Sequence, residues 1–106
     1  MAGVLNMHRL YTLPQALALA DPSEIAENRS IFGSDLFAQA VEAQTRNGLR
    51  ADIVKGSTRD RDGFRSQFIA YDWEATYREN PSHIWSDYFR PAVMNSASRM
   101  QRGLAP

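Results

Sequence analysis

Proline and glycine recur often enough along this chain that every regular element must be short. Five prolines and six glycines punctuate its 106 residues, and the stretch from Phe64 to Glu79, which carries neither, has room for one helix of about four turns. A chain of this length is expected to form one domain over 1–106 with a modest core. With 43% hydrophobic and 23% charged residues, the mix is that of a folded protein, so the breaks read as turns between packed elements.

The residues beside each break carry helix signals. Thr12 and Gln15 have capping-box spacing ahead of Ala16, Leu17 and Ala20, which predicts a helix over 13–20. Asp21 can cap a second helix, Pro22 suits its first position, and Glu24 and Glu27 favour the positive end of its dipole. Ile25, Arg29 and Phe32 mark one stripe of that helix, and Gly33 ends it. Ser34 is the expected cap of a helix over 35–47, with Leu36, Phe37, Ala40 and Val41 at helical spacing and Asn47-Gly48 as its stop. After Asn80-Pro81, the stripe Ile84, Trp85, Tyr88 and Phe89 predicts another helix. Pro91 breaks the chain again, and Val93, Met94, Ala97 and Met100 define a last helix ending at Gly103-Leu104.

Two readings compete for the middle of the chain. Leu49, Ala51 and Ile53 alternate with Arg50 and Asp52, as in a short half-buried strand, and 56–63 is a polar loop. The preferred reading makes 64–79 a helix, and the fold all-α: a small bundle of five to six short helices. The alternative pairs 49–55 with 64–73 as a β-hairpin in an α+β fold, because Phe68-Ile69-Ala70-Tyr71 also has strand propensity.

As a helix, 64–79 has two apolar faces. Phe64, Phe68, Tyr71 and Ala75 fall on one side, and Ile69, Trp73 and Tyr77 about 180° away. Such a helix either lies centrally, packed on both sides by its neighbours, or serves the core with one face and a partner with the other, since Trp and Tyr dominate interface hot spots. Ile69, Trp73 and Tyr77 are therefore the candidate partner-binding residues. Eight of the eleven aromatics lie between Phe64 and Phe89, so this half relies on large flat side chains both for its core and for any contact.

Charge narrows the function further. Twelve basic residues balance twelve acidic ones, so there is no bulk attraction towards nucleic acid or anionic membrane. A local exception is 46–65, where Arg46, Arg50, Lys55, Arg59, Arg61 and Arg65 outnumber Asp52, Asp60 and Asp62. Phosphate contacts from these residues make a nucleic-acid-binding or regulatory domain the alternative function, disfavoured by the interleaved aspartates. The absence of cysteine excludes disulfides, thiolate metal sites and cysteine nucleophiles, and two histidines make a multi-histidine metal site unexpected. His83 and Asp87, four apart, could orient an imidazole with a carboxylate, but no nucleophile or third ligand adjoins them. No apolar run reaches the ~20 residues of a membrane span, and Leu13 to Ala20 lacks the flanks of a signal peptide. The expectation is a cytoplasmic, non-enzymatic assembly subunit of accessory, virion or inhibitor type. It would use no cofactor and would bind another protein chain or copies of itself.

Overall fold

The computed structural model describes residues 8–54, 68–71, 77 and 79–106. Thr12 both closes strand β1 (His8–Thr12) and opens helix α1 (Leu13–Leu19). Its hydroxyl accepts from the Gln15 amide at 3.4 Å, while Gln15 Oε1 accepts from the Thr12 amide at 2.8 Å. This reciprocal box satisfies two donors that a helix start leaves without partners. Helix α2 (Pro22–Phe32) starts on Asp21, whose carboxylate accepts from the Ser23 amide at 3.0 Å. Gly33, at φ 92°, ends α2 and also stands at the N-cap of α3 (Ser34–Arg46). Ser34, the expected cap, is instead the first helical residue, and α3 begins without a side-chain cap. The Gly33 carbonyl already accepts from the Phe37 amide at 3.0 Å, so one glycine both reverses the chain and starts the next helix.

Asn47-Gly48 stops α3 by a Schellman arrangement. With Gly48 at φ 76°, its amide reaches the Thr45 carbonyl and the Leu49 amide reaches that of Gln44, both at 3.0 Å. Leu49 then enters the core and leads into β2 (Arg50–Val54). The strand read from the alternation at 49–55 is present. Its pairing differs from the expected hairpin in direction and in having a second neighbour. β2 pairs antiparallel with β1, Thr12 opposite Arg50, and parallel with β3 (Phe68–Tyr71), Ala51 opposite Phe68, in the order β1-β2-β3.

Phe68–Tyr71 is thus a strand, which corrects the continuous helix expected over 64–79; the rest of that span, apart from Tyr77 and Glu79, lies outside the described residues. The hairpin alternative had the segment extended but the pairing reversed. A tight hairpin joins antiparallel neighbours, whereas parallel strands need a crossover of a dozen or more residues, and the interval 55–67 is long enough for one.

A π-helical turn, Trp85–Phe89, runs directly into α4 (Arg90–Gln101). Pro91 was expected to break the chain, but the wider turn absorbs it. A proline has no amide and crowds the carbonyl four residues back. Here the Arg90 amide reaches back five residues to the Trp85 carbonyl, and the Arg90 Nε donates to the Ser86 carbonyl left over, at 3.2 Å. Gly103 closes α4 as expected, with the Leu104 amide on the Arg99 carbonyl at 2.8 Å.

The described chain is mostly helical, with four α-helices, fewer than the five to six expected, and a three-stranded sheet. Trp85, Phe89, Ile84, Val93 and Leu13 are its largest fully buried apolar side chains. Around them Ala16, Ala40 and Ala97 let α1, α3 and α4 approach closely, and Phe37 meets Trp85 edge-on at 6.2 Å. Among the described residues no helix is long and apolar enough to cross a membrane.

Candidate interaction surface

Helix α2 inverts the usual distribution. Its one buried side chain is polar: Asn28 is 6% exposed, and its Oδ1 accepts from Trp85 Nε1 at 3.0 Å. A fully buried indole N–H requires an acceptor, and Asn28 supplies it across 57 positions of sequence. Glu24, one turn earlier, accepts from the Ser86 hydroxyl at 2.6 Å and lies 3.8 Å from the Arg90 guanidinium. These polar contacts fix α2 against the π-turn, leaving its apolar residues on the flanks of the contact line.

Each flank opens into a groove. On one side Ile25 and Arg29 join Leu17 of α1 and Phe37, Ala38 and Val41 of α3 around about 390 Å³. The Arg29 guanidinium lies over the Phe37 ring, 5.5 Å from its centroid. On the other side Ile31 and Phe32 join Pro91 and Met94 of α4, with Asn28, Arg90 and Asn95, around about 470 Å³. Ile31 is 61% exposed, the highest exposure among the large hydrophobic residues of the described chain. A buried polar residue and an exposed large apolar one on a single helix are the informative exceptions to ordinary burial.

Among the described residues, the candidate site residues singled out in the sequence do not line these grooves. Tyr77 is buried at 6% exposure; its hydroxyl donates to Asp87 Oδ2 at 2.9 Å, and its ring meets Tyr88 edge-on at 5.6 Å. Burial, followed by the neighbouring Tyr88 and Asp87, pushes the Tyr77 hydroxyl well above the usual tyrosine range, which keeps it a proton donor. Ile69 lies in β3, opposite Asp52 of β2 in the parallel register. Trp73 lies outside the described residues. Asp87 is engaged by Tyr77, while His83 is exposed, and among the described residues no hydrogen bond or ion pair joins His83 to Asp87.

Of the arginine group, Arg46 ends α3 and pairs with Glu42 at 2.7 Å, and Arg50 begins β2. Lys55, Arg59, Arg61 and Arg65 lie outside the described residues. The sequence marks Ile25, Arg29 and Phe32 only as a stripe of this helix; Ile25 and Phe32 are half-buried against the core, and each also lines one of the grooves. The only local signal of the grooves was Ile31, outside that stripe, beside a polar Asn28 at a position facing inward. No family model matches this chain, and no curated protein and no solved structure matches it significantly.

Proposed function

We propose that the protein is a non-enzymatic interaction or assembly subunit, acting in the cytoplasm, that docks onto another protein chain through the flanks of α2. The observation that supports this reading is the inversion of α2, which buries Asn28 and leaves Ile31 at 61% exposure beside Phe32, Pro91 and Met94. An exposed Ile next to partly open Phe and Met side chains offers an apolar centre, and Arg90 with Asn95 offers a polar rim, which is the composition of a small interface. Ile69 lies in β3 and Tyr77 is buried, so the proposed contact is placed on α2.

Affinity capture from the native host, followed by reconstitution from purified components, tests the proposal. The wild-type chain should form a complex of defined mass by light scattering. Ile31→Asp should weaken that complex by about tenfold or more, with the fold intact. A chain that associates with no purified protein, its own copies included, would overturn the reading.

A further inference from the structure

The groove on the Arg29 side has two walls that differ in charge. Among its lining residues Leu17, Ile25, Arg29, Phe37, Ala38 and Val41, the only charged group is Arg29 of α2. No carboxylate lies within ion-pair distance of Arg29 among the described residues. On the α3 wall the charge is reversed. Asp35 and Glu42 stand three residues before and four residues after the lining Ala38, so helical geometry places both in the row bordering it, and both are exposed. Glu42 is engaged by Arg46 at 2.7 Å, whereas no cation lies within ion-pair distance of Asp35 among the described residues.

An apolar trough with a cation on one rim and an anion on the other is complementary to itself. A twofold axis along the trough brings the α2 rim of one copy onto the α3 rim of the other, so each Arg29 meets an Asp35 and the apolar centres face one another. A pairing that set like rims together would instead bring both Arg29 side chains to the same rim of the interface. The formal net charge of zero adds no long-range repulsion between copies. We infer that the α1–α2–α3 groove is a twofold self-association surface whose occupant is a second copy of this chain, paired through Arg29 and Asp35. This inference rests on the reading of the protein as an interaction subunit and names the partner for one of its two grooves.

Sedimentation equilibrium on the full chain, with and without charge reversal, tests it. The wild type is expected to show a monomer–dimer equilibrium. Arg29→Asp and Asp35→Arg should each raise the dimer dissociation constant by about tenfold or more. The double variant, which restores the pair with its charges exchanged, should return it to within about threefold of wild type. Circular dichroism confirms folding of each variant. Ala38→Arg, which places a cation in the trough opposite the partner's Arg29, is a further dissociating variant should a charge reversal fail to fold. A wild-type chain that stays monomeric, single reversals that leave the dimer intact, or a double variant without recovery would each overturn the inference. If the chain is monomeric yet still forms an Ile31-dependent complex with another protein, self-association alone fails. Loss of both would defeat the wider reading as well.

Discussion

Asn28 and Tyr77 are two of the residues at which a polar group enters the interior, and each makes a measurable prediction. Asn28→Ala leaves the Trp85 N–H in the core with no acceptor, because the bond from Nε1 to Oδ1 at 3.0 Å is the contact that satisfies it. The expected loss is about 1–3 kcal/mol, read by urea unfolding followed through tryptophan fluorescence. Equal stability of the variant and wild type would show that the indole finds another acceptor. Tyr77 predicts a pH dependence. Its hydroxyl is raised above the usual tyrosine range by burial, Tyr88 and Asp87, so the unfolded chain ionises first. The contribution is complete below the ordinary tyrosine pKa of about 10 and is lost as pH rises beyond it, by up to ~1.4 kcal/mol per pH unit from this one group. Tyr77→Phe should therefore flatten the alkaline limb of the stability profile. An unchanged slope between pH 9 and 11 in thermal melts, roughly the range of tyrosine ionisation, would contradict the burial of this hydroxyl.

At the scale of elements, the caps were legible because their chemistry is local. Thr12 with Gln15, Asp21 with Pro22, Asn47-Gly48 and Gly103 sit where their hydrogen-bonding habits or conformational freedom require. Gly48 allows a direct check. A methyl group there would meet nothing within 4 Å, so only its φ of 76° opposes a side chain. Gly48→Ala should cost about 1–2 kcal/mol and Gly48→Asn less, measured as shifts in melting midpoint. The strands were legible only in part. Leu49 to Lys55 alternates as a strand should, but His8-Arg9-Leu10-Tyr11-Thr12 of β1 does not alternate, and Phe68-Ile69-Ala70-Tyr71 is an apolar run that periodicity cannot assign to helix or strand. Pairing with β2 decides it, because strand preference depends on the neighbours present. The π-turn before Pro91 escapes a sequence reading for a related reason. A proline can end a helix or be accommodated by widening one, and the burial of Ile84, Trp85 and Phe89 on the same core as Val93 and Ala97 favours the continuous path.

For the whole molecule, the consequence of the fold is that α2 stands between two open grooves. Removing exposed apolar surface there should not weaken the fold. Ile31→Asp is expected to leave stability within about 0.5 kcal/mol of wild type, while Phe89→Ala, in the fully buried cluster, should cost about 3–5 kcal/mol. Chemical denaturation of the two variants side by side checks this contrast. A large loss for Ile31→Asp would mean that this residue is part of the core and not available to a partner.

The parts of this protein that follow from sequence alone are those set by interactions over three or four residues. These are the caps at Thr12, Asp21, Gly48 and Gly103, the buried stripes of the later segments, and the alternation of β2. The tertiary structure alone decided which faces were left over. The choice between helix and strand at Phe68–Tyr71 depends on a partner strand that is near in space and distant in the chain. The burial of Asn28 depends on Trp85, 57 positions away, and Ile31, one turn further along α2, is left exposed beside it in one of the two grooves. Local spacing sets the faces of a helix; which face is buried is settled only when all the elements compete for one core.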